Sequence, residues 1–313
     1  GVDDHRRADP GGGEVTSRRA AGLAAAVLMF GGIASSCAGI AGKSAGTEQG
    51  ARESLPVRGL KSDETWRGEV RIRGSVVVPR GVTLTIEPGT VVRFEKIDVD
   101  GDGIGDSELY VEGNLIAVGA PGRPIVFTSA GKTPSARDWK YLFVNLSRKT
   151  VLTRCVFEYA FSGAQIHFSR ATVTRCLFRR NVDGFRFSTV EGTFSRNRMT
   201  ENVYGVRYEE RNSNAVLSRN DITGNKVGIF CVMESTGKVA IRENRIHGNA
   251  EYDFKLGNRQ KADVPVPGNW WGTADPGAIR KRIFDRGTEA ELGRVLFEPC
   301  LQAPPPDGGG YGT

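Results

Sequence analysis

The chain has 313 residues, 39% of them hydrophobic, which is enough to bury a sizeable core. Its 43 Lys and Arg outnumber its 36 Asp and Glu, and the formal net charge is +7. The sequence has no helix-turn-helix pattern, zinc-finger spacing or RNP-like aromatic strand, so we do not expect a nucleic-acid partner. An acidic polysaccharide, another envelope polymer or lipid headgroups suit this positive charge better.

Residues 1–37 are interpreted as an N-terminal extension followed by a secretory signal. Residues 18–37, RRAAGLAAAVLMFGGIASSC, contain a basic pair, an apolar run, small residues and a cysteine. This order is typical of a secretory signal, and the apolar run is too short to be preferred as a membrane span. The stretch IASSC resembles a lipobox, which implies cleavage before Cys37 and diacylation of that residue. Ordinary signal cleavage, with Cys37 as a bystander, is the alternative.

The residues after Cys37 bear on location and reach. Ala38 stands there and not Asp, which by the same resemblance favours the outer membrane. We therefore expect a cell-envelope lipoprotein that contacts the membrane only through its lipid anchor. Residues 38–60 are small and polar and predict a flexible tether. Residues 304–313, PPPDGGGYGT, predict a disordered tail.

The next local feature is an acidic loop, DVDGDGIGDSE, over residues 98–108. Four aspartates occupy places 1, 3, 5 and 9 of a calcium-loop pattern: Asp98, Asp100, Asp102 and Asp106. Gly103 at place 6 permits a sharp turn, and alternating carboxylates can converge on one hard cation. The loop resembles EF-hand and thrombospondin-type calcium loops, but Leu109 stands where a bidentate Glu is expected. A structural Ca²⁺ that orders the loop is one hypothesis, and a solvated acidic turn is the other.

The centre of the chain is a repeat. A first landmark residue recurs at steps of 21, 21, 23 and 24 residues: Cys155, Cys176, Asn197, Asn220 and Asn244. A second landmark recurs with it: Asn181, Asn202, Asn225 and Asn249. A glycine follows the second landmark: Gly163, Gly184, Gly205 and Gly228. Such a period indicates a solenoid.

Each repeat consists of short runs of alternating apolar and polar residues, which is the strand signal. No repeat has a helical stretch or the leucine spacing of a leucine-rich repeat, so three short parallel strands per turn remain. Two apolar columns should point inward and stack: Phe157, Phe178, Met199, Ile222 and Ile246, and Leu152, Val173, Phe194, Leu217 and Ile241. Asparagines stacked at about 4.8 Å should exchange amide hydrogen bonds. We expect the repeated glycines at bends with a positive φ.

The spacing in NDITGNKVGI resembles the right-handed parallel β-helix proteins of the pectin-lyase-like kind. Residues 76–94 and 109–131 look like the opening coils of secreted bacterial members, and residues 268–285 with 295–301 look like their closing segment. The resemblance implies an all-β fold: a right-handed parallel β-helix with coils of about 21–24 residues over residues 61–303, closed by residues 264–303. It is specific for fold and weak for chemistry, because this fold hosts many activities.

Cysteine and tryptophan pairs leave alternatives open. Cys155 and Cys176 are one coil apart, so they should be neighbours, either as a disulfide or as buried thiols that replace ladder asparagines. Cys231 lies on an inward strand position, which favours a buried thiol. Trp270 and Trp271 are either a hydrophobic cap over the end of the coil or a sugar platform.

An arginine stands directly before the first landmark in four successive coils: Arg154, Arg175, Arg196 and Arg219. An evenly spaced basic stripe suits an extended anionic chain, such as a uronic-acid polymer, through bidentate carboxylate contacts. The alternative is a turn position exposed to water, with Glu201 or similar acids nearby.

Signals of catalysis are thin. The sequence lacks the aspartate triplet and Gly-His-Gly of the β-helix galacturonases, and His167 and His247 occupy different places in their coils. Asp183, Arg186 and Arg207 could lie close together on neighbouring coils, and they are the best lyase candidates. We therefore expect a non-catalytic envelope protein that binds polysaccharide. A calcium-dependent polysaccharide lyase or epimerase is the alternative, and a structural stalk or adhesin is the second alternative.

Overall fold

The computed structural model describes residues 55–306, all within one unit, Gly50–Thr313. The signal with Cys37, residues 38–54 of the expected tether and residues 307–313 of the expected tail lie outside the described residues. The prediction that the tether extends to residue 60 is wrong, because Val57–Gly59 pair in register with Ser75–Val77 and Leu60 is buried. The first strands are β1 (Val57–Gly59), β2 (Glu64–Trp66), β3 (Glu69–Ile72), β4 (Ser75–Val78), β5 (Thr83–Ile86), β6 (Val91–Phe94), β7 (Glu108–Val111), β8 (Asn114–Val118), β9 (Ile125–Ser129), β10 (Trp139–Asn145), β11 (Thr150–Thr153), β12 (Cys155–Glu158) and β13 (Ala160–Thr174).

The later elements are β14 (Leu177–Arg179), β15 (Asp183–Ser195), β16 (Arg198–Thr200), β17 (Tyr204–Glu209), β18 (Asn214–Ser218), β19 (Asp221–Thr223), β20 (Val227–Met233), β21 (Val239–Arg242), β22 (Arg245–His247), β23 (Tyr252–Leu256), β24 (Val264–Pro265), α1 (Pro276–Arg280), β25 (Ile283–Phe284) and β26 (Val295–Leu296). No helix among residues 55–306 has the length and apolar character that a bilayer crossing needs.

Strands of successive coils pair in parallel and form three faces. Face 1 runs β1-β4-β7-β10-β13-β15-β17-β20-β23-β25. Face 2 runs β2-β5-β8-β11, continues through the second halves of β13 and β15, and ends with β18 and β21. Face 3 runs β3-β6-β9-β12-β14-β16-β19-β22. The predicted coil of three parallel strands is therefore confirmed.

The core fills the inside of the coil. Both predicted apolar columns are buried along their whole length, because alternate residues of each strand point inward. In the first column Phe157 and Phe178 stack with ring centroids 4.9 Å apart, and Phe127, on the preceding coil, continues the stack at 4.7 Å from Phe157.

The two asparagine ladders form as predicted and are buried. The Asn202 side-chain Nδ2 donates to Oδ1 of Asn225 at 2.9 Å and to the backbone carbonyl of Phe178 at 3.0 Å. The ladder through Asn220 and Asn244 extends one coil beyond the predicted landmarks, to Asn269. Each amide thus joins neighbouring coils, so a polar residue is stable inside the solenoid.

The prediction for the repeated glycines is wrong. Gly163, Gly184, Gly205 and Gly228 do not have a positive φ. They are close-approach positions: a Cβ on Gly205 would lie 2.7 Å from the carbonyl oxygen of Gly228 and 2.9 Å from the Asn225 amide nitrogen. The left-handed bends are occupied instead by the residue before each landmark, such as Arg196 (φ 56°) and Glu201 (φ 58°).

The three core cysteines are free, buried thiols: Cys155, Cys176 and Cys231. The interpretation of Cys155 and Cys176 as buried thiols in the ladder is therefore confirmed, and the alternative of a disulfide is wrong. The backbone N–H of Cys155 donates to the Cys176 sulfur at 3.5 Å, and that of Cys176 donates to Oδ1 of Asn197 at 2.9 Å. The sulfur therefore accepts the bond that an asparagine oxygen accepts in later coils. Burial raises the pKa of the Cys155 thiol well above its usual range.

Trp271 is buried in the closing segment, with its ring centroid 6.1 Å from that of Phe297. Trp270 is half-buried, and its backbone forms an isolated parallel β-bridge with Arg245. This packing agrees with the cap interpretation for Trp271.

Candidate functional site

Three of the four arginines of the predicted column line a groove at the bend between face 2 and face 3. The arginine groove has a volume of about 270 Å³ and consists of Thr174, Arg175, Ser195, Arg196, Ser218, Arg219, Arg242 and Glu243. The left-handed backbone at Arg175 (φ 54°), Arg196 (φ 56°) and Arg219 (φ 55°) sets the bend, and parallel stacking repeats it at about 4.8 Å. Arg154 continues the column but is not among the residues that line the groove.

The charges in the groove are unevenly compensated. Arg219 Nε lies 2.7 Å from Glu243 Oε2, so one end of the groove contains an ion pair. Within residues 55–306, no carboxylate forms an ion pair with Arg175 or Arg196. Glu201, the acid expected nearby, pairs with Arg180 at 2.8 Å on a different bend. The groove therefore has two uncompensated guanidinium groups beside three hydroxyl-bearing side chains.

A second basic cluster lies on the outer side of face 1. The Asp183 cluster consists of Asp183, Arg186 and Arg207, and the strand register pairs Arg186 with Arg207 on neighbouring coils. Asp183 Oδ2 lies 3.7 Å from one guanidinium nitrogen of each arginine. The sequence prediction that these three residues lie close together agrees with this geometry.

The buried carboxylate of this cluster accepts no hydrogen bond. Asp183 is fully buried, and neither of its oxygens has a hydrogen-bond partner. Ser162 Oγ and Arg207 Nε also lack a hydrogen-bond partner. Burial raises the pKa of Asp183, and Arg207 and Arg186 oppose that rise only in part. The side chains of Arg186 and Arg207 are 23% and 27% exposed, so part of each side chain reaches solvent while the Asp183 carboxylate does not.

Aromatic side chains border the Asp183 cluster. The Arg207 guanidinium lies 5.7 Å from the ring centre of Tyr204 and 5.6 Å from that of Phe230, within cation–π range. His167, on the preceding coil, has a pKa lowered to about 4 by burial and then by Arg186 and Arg211. It is therefore neutral at physiological pH and adds no positive charge to this face.

A lyase of the calcium-dependent type needs carboxylates that hold the metal next to the base. Among residues 55–306, the only group of three acidic side chains close enough to hold a metal is Asp98, Asp100 and Asp106. That group belongs to the loop between β6 and β7 and contains neither Asp183 nor another member of its cluster. The residues available for the lyase alternative are therefore two arginines and one carboxylate, and no acidic group of this kind lies beside them within residues 55–306.

The acidic loop brings together three of its four predicted ligands. The carboxylate oxygens of Asp98, Asp100 and Asp106 lie within 4.8 Å of one another, and Asp102 is not part of the group. Asp98 accepts hydrogen bonds from the backbone N–H of Gly101 at 2.7 Å and of Gly103 at 2.9 Å. Three carboxylates suit the donor set of Ca²⁺, although these oxygens also cap the turns of the loop.

The comparison with known families finds one match, in the middle of the chain. Residues 140–269 match the family model for the right handed beta helix region. Residues 140–269 are therefore a right-handed β-helix region, in agreement with the coil of parallel strands in the structure. No curated protein and no solved structure matches the chain. The β-helix domain suggests a carbohydrate-related or surface protein and does not select among binding, lyase and adhesin roles.

Sequence reasoning missed several residues at these sites. Arg242 and Glu243 line the groove because β21 ends beside Arg219, and the fifth coil has Glu243 where the four earlier coils have arginine. Phe230 stands two residues after a repeated glycine, as Gln165, Arg186 and Arg207 do. Reading that column along the repeat would have placed Phe230 beside Arg207.

Proposed function

We propose that this β-helix protein is a non-catalytic envelope protein that binds an acidic polysaccharide along the arginine groove. The observation that carries the proposal is the pair Arg175 and Arg196, which have no acidic partner within residues 55–306 and lie in one groove. Guanidinium groups bind carboxylates bidentately, and the hydroxyls of Ser195 and Ser218 can hydrogen-bond sugar hydroxyls. A uronic-acid polymer offers a carboxylate at each unit of an extended chain, which suits a ladder of arginines.

The anchoring of the protein is part of the same proposal. Diacylation of Cys37 would tether the β-helix to the outer membrane and present the groove to polymers of the cell envelope. Metabolic labelling with a fatty acid should mark the protein with Cys37 and leave a Cys37→Ser variant unlabelled. A labelled Cys37→Ser protein would contradict the anchor and leave the groove proposal standing.

A structural Ca²⁺ bound by Asp98, Asp100 and Asp106 is a further proposal about the loop that precedes β7. It is independent of the groove, because the loop lies against the segment before β10, where the Gly105 backbone N–H donates to the Arg137 carbonyl at 2.8 Å. Its expected role is to order the loop, not to perform chemistry.

The groove is tested by binding assays on the full chain with polygalacturonate, alginate and neutral dextran. The variant Arg175→Glu/Arg196→Glu should lower affinity for the acidic polymers at least about tenfold, since carboxylate contacts are lost and like charges are introduced. The control Arg259→Glu/Lys132→Glu makes the same change of net charge at exposed positions outside the groove. An equal loss in both variants would mean that net charge, not the groove, attracts the polymer.

The same samples separate the alternatives. Ultraviolet absorbance of unsaturated products, with and without Ca²⁺, reports lyase activity while the binding assay reports retention. Calcium-dependent product would favour the lyase alternative and direct attention to Asp183, Arg186 and Arg207. Neither product nor retention would favour a stalk or adhesin.

A further inference from the structure

The Asp183 cluster has the features of a second binding site, on a different face from the arginine groove. Six buried side-chain atoms of residues 55–306 lack a hydrogen-bond partner, and four of them belong to adjacent residues here: Ser162 Oγ, both carboxylate oxygens of Asp183, and Arg207 Nε. Buried polar groups are nearly always partnered in folded proteins, so such a concentration at one point requires a cause. The strand register places Ser162 and Asp183 side by side on successive coils.

The charges of the cluster select the sign of its ligand. Two guanidinium groups flank one carboxylate at 3.7 Å each, which leaves a net positive charge. A metal ion at Asp183 would have to approach both cations, and the repulsion disfavours it. An anion that meets Arg186 and Arg207 from the solvent side is attracted by both, and no hydrogen bond within residues 55–306 occupies their guanidinium nitrogens.

Asp183 explains why the two arginines can stand side by side. Register-paired guanidiniums on neighbouring coils repel each other, and the carboxylate beneath them lies equally close to both. Because Asp183 is buried and the arginines are partly exposed, the carboxylate can fix the arginines without touching a ligand above them. Asp183 is thus a positioning residue, and Arg186 and Arg207 are the groups that meet the ligand.

The neighbours of the cluster indicate which anion. Along face 1 the outward column reads Phe143, Gln165, Arg186, Arg207 and Phe230 in register. Phe230 therefore stands next to Arg207, whereas Gln165 separates Arg186 from Phe143. Phe230 also stacks with Tyr204, with ring centres 5.0 Å apart. Aromatic faces pack against the C–H faces of sugar rings, whereas a free inorganic ion gains nothing from them.

We propose that Asp183 holds Arg186 and Arg207 as a carboxylate clamp that binds one acidic sugar unit against the ring of Phe230. The sugar carboxylate accepts hydrogen bonds from both guanidiniums, and the sugar ring packs on the aromatic side chain. The site lies apart from the arginine groove and does not require that the groove bind anything.

The test is calorimetric titration of the full chain with trigalacturonate, a neutral galactose trisaccharide and inorganic sulfate. Arg207→Lys keeps the charge but loses the planar pair of donors, and it should weaken trigalacturonate binding about tenfold. The groove variant Arg175→Gln/Arg196→Gln, titrated in parallel, removes any trigalacturonate bound in the groove, and the binding that remains should still be weakened by Arg207→Lys. The control Arg259→Gln/Lys132→Gln, at exposed positions outside both sites, should leave trigalacturonate binding unchanged. A loss in the groove variant with none in Arg207→Lys would overturn the clamp and leave the groove proposal intact.

Asp183→Asn provides a test of opposite sign. Removing the negative charge makes the site more positive, so a simple basic patch would bind trigalacturonate more tightly. A positioning role predicts the reverse: affinity falls about fivefold because the arginines separate, and Asp183→Glu restores part of it. Thermal unfolding of each variant checks that the fold is intact. If Asp183→Asn does not fold, the affinity of Arg207→Lys for trigalacturonate remains the test of the clamp. Tighter binding by Asp183→Asn, or sulfate that competes as well as the sugar acid, would overturn the clamp.

Discussion

Glu210 and Asp183 are both carboxylates that the fold seals from solvent, and their surroundings are opposite. Glu210 accepts five hydrogen bonds, three from backbone N–H groups and two from hydroxyls, in the loop after β20 and at the first residue of β21: Thr236 N at 2.7 Å, Gly237 N at 3.1 Å, Val239 N at 3.1 Å, Thr236 Oγ1 at 2.7 Å and Ser235 Oγ at 3.0 Å. Asp183 accepts none and lies between two arginines at 3.7 Å.

The difference separates a structural carboxylate from one that positions other charges. A fully satisfied carboxylate fastens a loop, and its removal leaves several donors without a partner. A carboxylate without hydrogen bonds adds little to folding, so its place in the coil requires a different explanation. The predictions below test this contrast, beginning with the largest effect.

Glu210→Gln should lower the free energy of unfolding by about 3 kcal/mol, because the new amide group faces donors that it cannot accept from. Asp183→Asn should change it by about 1 kcal/mol or less, since no hydrogen bond is lost and the partly exposed arginines can turn to solvent. Urea unfolding of the two variants measures both values. A larger loss in Asp183→Asn than in Glu210→Gln would reverse the assignment of roles.

Asn220→Ala and Ser162→Ala extend the contrast to uncharged side chains. The Asn220 amide donates to Asn244 Oδ1 at 2.9 Å and to the Phe194 carbonyl at 3.0 Å, and it accepts from the Asn197 backbone at 2.9 Å. Its loss should cost about 2–3 kcal/mol, as expected for buried groups left unpaired. Ser162 Oγ has no partner, so Ser162→Ala should be close to neutral. Equal midpoints of thermal unfolding for the two variants would count against the ladder as a source of stability.

The two carboxylates should also give opposite pH dependences. Burial alone would raise the pKa of Glu210, but its hydrogen bonds outweigh burial and hold the pKa below the ordinary 4.5. Its stabilisation is therefore present above about pH 4.5 and is lost as the pH falls through the folded-state pKa. The pKa of Asp183 is raised above 3.8, so any stabilisation from it is present below about pH 3.8 and is lost as the pH rises through the folded-state pKa.

Unfolding from about pH 3 to pH 7 checks the signs through differences between wild type and variant. The difference in unfolding free energy between wild type and Glu210→Gln should grow with pH. The difference between wild type and Asp183→Asn should shrink with pH. Two differences that move in the same direction would contradict the opposite pKa shifts.

Repetition determined what the sequence could predict. The inward columns and the asparagine ladders recur in several coils, so periodicity was sufficient to find them. The repeated glycines were found but misread, because a close backbone approach and a positive φ both select glycine, and only the structure shows the Gly228 carbonyl 2.7 Å from a Cβ on Gly205. Glu210 and Asp183 each have a role that does not recur along the repeat. The periodicity of the sequence therefore cannot show whether either carboxylate accepts five hydrogen bonds or none.

The acidic loop gives a smaller expected effect than Glu210 or Asn220 and applies the same contrast to carboxylates that already accept hydrogen bonds. Ca²⁺ at about ten times its dissociation constant should add about 1.4 kcal/mol to the free energy of unfolding, which raises the midpoint by a few degrees. Asp100→Asn should remove this increment, because Asp100 belongs to the group of three, whereas Asp102→Asn should retain it. Thermal unfolding with Ca²⁺ and with a chelator measures the increment in each variant. If both variants lose it equally, the loop acts as a diffuse acidic surface; if wild type shows none, the carboxylates of Asp98 and Asp106 serve their backbone turns alone.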